Sequence, residues 1–179
     1  MKAKTIALTI SLVFVSVAFG FQNNPNMGTW KLNEAKSKFA GKARNHTVTY
    51  EAAGDQTKVT VDGVDDNGAA VHNEWTGKFD GKDYPLTGDS NADARSYRMI
   101  NKSTLAMTNK KGGKATVTGR IVVSRDGKTR TVTTTAMDAQ GKKVTNVAVY
   151  DKQWFWTHKA NGQPFMTARN LLIAMVHPA

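Results

Sequence analysis

The chain contains no cysteine. Disulfides, thiol catalysis and cysteine-ligated zinc are excluded, and a folded domain must be held by its core alone. A lipid on cysteine is excluded as a membrane tether for the same reason. Histidine is scarce too. His46, His72, His158 and His177 lie far apart, without metal-ligand spacing. No G-x-S-x-G elbow, G-x-G-x-x-G turn or P-loop occurs, which removes the sequence signatures of hydrolase, dinucleotide and nucleotide sites. Asp65, Asn67, Gly68 and Glu74 fall at the third, fifth, sixth and twelfth positions of a calcium loop of helix–loop–helix type, the sixth being its turn glycine. Gly63 stands at its first position with no ligand to offer, and the flanks read as strands, so the motif fails. No metal, cofactor or catalytic pair can be named, and enzymatic activity has no positive support.

Negative charge is in short supply, with 14 Asp and Glu against 25 Lys and Arg and a net charge of +11. The basic residues are scattered: Lys36, Lys38, Lys42 and Arg44, then Lys110, Lys111 and Lys114, then Lys142 and Lys143. No Arg-rich helix or aromatic-basic motif gathers them, so nucleic acid is not an expected partner. Solubility, or association with an anionic envelope polymer or lipid head groups, accounts for such a surface.

The one long apolar run is N-terminal. Lys2 and Lys4 precede Ile6 to Phe19, and Ala18-Phe19-Gly20 supplies small residues for cleavage. This is the layout of a secretory signal peptide over residues 1–20, too short for a membrane span of roughly 20 residues. The mature chain is expected to be secreted or periplasmic, with no transmembrane span once the leader is removed. Loss of Lys2 and Lys4 takes the net charge from +11 to +9.

From Met27 to Asp151 the pattern is alternation. Val48 and Tyr50, with His46 as the best interior histidine, share a face opposite Thr47, Thr49 and Glu51. Val59 and Val61 do the same, as do Asn73, Trp75 and Gly77, then Tyr97 and Met99, then Val117, Gly119, Ile121 and Val123. A period of two rich in Thr and Val marks half-buried strands. Between them stand Gly54-Asp55, Asp66-Asn67-Gly68, Asp80-Gly81, Lys111-Gly112-Gly113, Asp126-Gly127 and Gln140-Gly141, which supply tight hairpin turns. Nine or ten strands in sequential hairpins make a meander, and strand twist brings its edges together. The fold expected is all-β: an antiparallel up-and-down meander β-barrel of about 8–10 strands over residues 21–152. Residues 153–179 form a separate aromatic tail, with a C-terminal helix over Phe165 to Val176 that docks on the barrel or hangs free. Residues 59–73 and 132–146 also align with six identities at an offset of 73, which would place Asn73 and Asn146 at equivalent positions.

Within the barrel, Tyr50, Asn73, Trp75, Tyr97, Asn146 and Tyr150 are in phase with small or apolar residues. Aromatic walls with a few polar groups bind small amphipathic molecules, and these six are the candidate ligand-binding residues. A core filled by the same side chains is the alternative.

Gly28-Thr29-Trp30 on the first strand, followed by a helical turn and a meander, resembles the lipocalins and the wider calycin group. The resemblance implies that Trp30 is a structural plug at one barrel end and that a ligand enters at the other. There are departures. No T-D-Y motif is present, and Asp151-Lys152 stands where the family places an Arg over the Trp. The strand count leans towards ten-stranded relatives. The G-T-W-K-L-N start, V-T-V-D-G, K-D-Y-P and T-G-R-I-V-V-S segments also resemble small exported bacterial proteins of uncharacterised role. The function implied is non-enzymatic binding of a small amphipathic or hydrophobic ligand. The second reading is a basic envelope-associated barrel that binds anionic polymer or a protein through its Lys-rich surface.

Overall fold

In a computed structural model the described residues are 24–138 and 140–154. The leader and the tail from residue 155 onward, with the helix expected over Phe165 to Val176 and with His158 and His177, lie outside them. The described chain forms ten strands: β1 (Gly28–Leu32), β2 (Arg44–Ala53), β3 (Gln56–Val64), β4 (Ala70–Gly77), β5 (Tyr84–Thr87), β6 (Ala94–Asn101), β7 (Thr104–Lys111), β8 (Lys114–Val123), β9 (Thr129–Met137) and β10 (Lys143–Gln153). Each pairs antiparallel with its sequence neighbours, and β1 closes on β10. This is the all-β meander barrel that the alternation predicts.

The turn chemistry explains the hairpins. The Asp65 carboxylate accepts from the backbone N–H groups of Asn67 and Ala69 at 2.9 Å each, and Gly68 takes a positive φ of 85°. Asp138 repeats the arrangement, accepting from Gln140 and Lys142, with Gly141 at φ 76°. The register repeats as well: Val61 faces Asn73 as Thr134 faces Asn146. The faint sequence repeat therefore corresponds to two hairpins of the same turn and register.

Asn33 caps a 3-10 turn (Glu34–Lys36), its side chain accepting from the Lys36 N–H. Residues beyond the turn run on beside β10, where Lys38 and Val147 exchange backbone hydrogen bonds of 2.7 Å. Gly63 is required by the backbone. The β2–β3 register slips between Asn45 and Thr47, and a Cβ on Gly63 would strike the Arg44 carbonyl. That bulge also displaces His46. The histidine expected inside is exposed, because one extra residue inverts the alternation at that point.

Alternate strand connections gather at opposite ends. One end carries the β2–β3, β4–β5, β6–β7 and β8–β9 links together with residues 24–27. The other carries the β1–β2 segment and the β3–β4, β5–β6, β7–β8 and β9–β10 links. These are called the floor and the mouth below.

Candidate functional site

Near the floor, Trp30 of β1 is fully buried. Its indole N–H donates to the Asn26 carbonyl at 2.8 Å, tying the lead-in across the barrel end. Arg130, from β9, is 1% exposed, and its guanidinium carbon lies 5.2 Å from the Trp30 ring, 5.1 Å from Tyr50 and 4.7 Å from Tyr150. Lys152 Nζ sits 5.1 Å from the Trp30 ring and 5.3 Å from Trp154, and partial burial lowers its pKa. A cation over the floor tryptophan, which the sequence offered only as Asp151-Lys152, is thus supplied from two strands. Such contacts contribute about 0.5–2 kcal/mol each, more when desolvated.

Beside this floor lies an aromatic cluster. Trp75 stacks on Phe79 at 6.2 Å with ring planes 9° apart. It meets Tyr97 edge-on at 4.8 Å and Tyr84 at 5.7 Å. Tyr97 in turn lies 6.3 Å from Tyr50. Gly77 permits this packing, because a Cβ there would enter the rings of Tyr84 and Trp75. The Trp75 N–H donates to the Arg95 carbonyl at 2.8 Å. That bond reaches past β5, which has only two residue pairs on each side. Burial raises the pKa of Tyr50 and of Tyr150, so both hydroxyls stay neutral hydrogen-bonding groups.

Above the cluster, towards the mouth, Arg95 of β6 points inward and is 5% exposed. Its Nε donates to Asn109 Oδ1 at 2.7 Å, and its Nη1 reaches Asn73 Oδ1 and the Tyr97 hydroxyl at 3.5 Å each. No acidic residue is buried among the described residues.

The opposite wall differs. Register places Val117 and Gly119 of β8, Val132, Thr134 and Ala136 of β9, and Val144 and Asn146 of β10 on the inward face. These side chains are small, and each of the seven residues is only half-buried, whereas Ile121, Val123, Arg130, Ala148 and Tyr150 on the same faces are buried. Phe39 leans in at the mouth with Arg44 stacked 3.8 Å above it.

All six sequence-predicted site residues occupy inward positions. Tyr50, Trp75 and Tyr97 meet in the aromatic cluster, Asn73 joins it through Arg95, and Tyr150 packs on Arg130. Asn146 stands apart at the mouth, its Oδ1 accepting from the Ala40 N–H at 2.7 Å. Arg95, Asn109 and Arg130 were not foreseen. Their phase was the available signal: Arg95 shares a face with Tyr97, and Arg130 with Val132 and Thr134. The strong preference of Arg for the surface outweighs that signal in a sequence.

Two features lie on the outer wall. A groove of about 490 Å³ runs between residues 81–83 and the outward side chains of Ser96, Arg98, Ala106, Thr108 and Lys110. On β3 and β4, His72 Nδ1 contacts Asp62 at 2.6 Å, and Glu74 pairs with Lys58. The Asp62 hydrogen bond raises the His72 pKa, aided by the charges of Asp62 and Glu74. A raised pKa means that folding favours the protonated ring. This stabilisation is present below the ordinary value of about 6.5 and is lost as pH rises through the elevated value. An NMR titration should give a His72 midpoint above about 6.5, falling in Asp62→Asn; an unmoved midpoint would show that the pair does not form in solution. Among the described residues, no three His, Asp or Glu side chains converge as a metal site. No helix among them is long and apolar enough to cross a membrane.

A comparison with known family models gives no match, and a comparison with curated proteins gives none either. Among solved structures, the chain is similar to a redesigned beta barrel, mFAP1, bound to DFHBI. The two share 12% identity, the match covers 73% of this chain and 99% of that one, and the TM-score is 0.39.

Proposed function

We propose that this barrel is a lipocalin-like container that holds a small amphipathic or hydrophobic molecule without transforming it, in the periplasm or outside the cell. One contrast supports the reading. The floor is packed shut around Trp30, while the inward residues of β8–β10 near the mouth are small and half-buried. A cup with one apolar wall and a few polar groups suits such a ligand. In this reading Asn73, Tyr97 and Asn146 stand nearest the ligand, and Tyr50, Trp75 and Tyr150 form the bed beneath it. The apolar leader motivates the location.

The test is to fill the cup without touching the floor. Thr134→Trp adds a large side chain at a half-buried inward position. It should weaken uptake of the neutral fluorescent probe N-phenyl-1-naphthylamine at least tenfold while the urea midpoint changes little. Unaltered probe affinity in that variant would mean that binding is not inside the barrel.

The outer groove favours a second reading, because Lys82, Arg98 and Lys110 line it against the single carboxylate of Asp83. Association with anionic envelope polymer would use this face and would weaken steeply with salt.

A further inference from the structure

The barrel interior is electrostatically one-sided. Arg95 and Arg130 are both buried, and neither takes part in an ion pair among the described residues. Arg95 rests on neutral oxygens of Asn109, Asn73 and Tyr97. Arg130 leaves Nε and Nη1 with no acceptor among the described residues, covered by three ring faces. A guanidinium cannot shed its proton to escape burial, so a buried one needs a counter-charge or dense polar support. Ring faces and amide oxygens offset part of that cost but supply no negative charge.

We propose that the missing counter-charge belongs to the ligand: a small amphipath with one oxyanionic group, a carboxylate, sulfonate or phosphate, that meets the Arg95 guanidinium. This rests on the container reading above and names the ligand class. Arg95 stands at the mouth side of the aromatic bed, and beyond its partner Asn109 lies the half-buried inward residue Val117 of β8. The planar guanidinium suits an oxyanion, the Asn73 and Asn109 amides and the Tyr97 hydroxyl can donate to it, and the apolar body would lie against Thr134 and Ala136. Arg130 adds a second positive charge beneath, so the acid end is drawn inward. A cationic ligand would meet two like charges, with no buried carboxylate among the described residues to hold it.

The test uses two probes that share one skeleton: neutral N-phenyl-1-naphthylamine and its sulfonate, 1-anilinonaphthalene-8-sulfonate. Both are titrated against the intact protein at high salt, which suppresses attraction to surface lysines. The sulfonate should bind about tenfold tighter or better, the span of a charge-assisted hydrogen bond. Arg95→Gln should erase that preference and leave the neutral affinity within about twofold. Should Arg95→Gln fold poorly, Asn109→Asp places a carboxylate against Arg95 Nε with almost no change of shape. It should erase the preference equally while Arg95 remains. Equal affinity for the two probes, or a preference untouched by Asn109→Asp, overturns the anion assignment and leaves the container standing. If neither probe binds, both fall.

Discussion

Trp30→Ala should lower the unfolding free energy by about 3–5 kcal/mol, the range for deleting a large core aromatic. Trp30 is fully buried, and its loss would also leave the Asn26 carbonyl without its indole donor. The substitution carries a second signature, because Trp30 is one of three rings that cover Arg130. In the native barrel, desolvation of that guanidinium and the three ring contacts oppose each other. Arg130→Met alone should therefore change stability by less than about 2 kcal/mol. With Trp30 already removed the balance tips, and Arg130→Met should then raise stability. Urea unfolding of the two single variants and the double variant measures the coupling. Additive effects would show that the ring and the guanidinium act independently.

Trp75→Ala is the other large effect, again about 3–5 kcal/mol. Trp75 touches Phe79, Tyr84 and Tyr97, and its N–H holds the Arg95 carbonyl across the thin β5 seam. Trp75→Phe separates the two contributions. It keeps a ring against the cluster and removes the donor, so it should cost about 1–2 kcal/mol, near the worth of one hydrogen bond plus a modest loss of area. A Phe variant as damaged as the Ala variant would assign most of the stabilisation to the hydrogen bond. Because the Ala variant weakens the bed as a whole, filling the opposite wall at Thr134 tests ligand uptake more cleanly.

Alternation and turn residues carried most of the barrel in the sequence. A period of two fixes which residues share a face, and Asp-Gly and Asn-Gly fix where a strand must reverse, so Val59, Trp75, Tyr97 and Tyr150 are recognisable as inward. His46 shows the limit. Its phase matches Val48 and Tyr50, yet the bulge opposite Gly63 puts it outside, and no local pattern marks a bulge that depends on the neighbouring strand. Arg130 shows the reverse. Its phase is inward, but only the folded barrel brings Trp30, Tyr50 and Tyr150 round it, from strands as far apart in sequence as β1, β2 and β10. The contrast between a packed aromatic side and a wall of small residues is likewise a property of closure. Side-chain sizes can be read along each strand, but which strands face one another across the barrel cannot.

In the proposed function the barrel is closed at Trp30 and open to a small molecule beside β8–β10. Its most direct test is a methyl NMR experiment on the intact protein with bound N-phenyl-1-naphthylamine. Intermolecular NOEs from the probe should reach the inward methyls of Val117, Val132, Thr134, Ala136 and Val144. NOEs confined to outward methyls such as those of Val122, Thr133 and Val147 would place the probe on the outer wall and contradict the account.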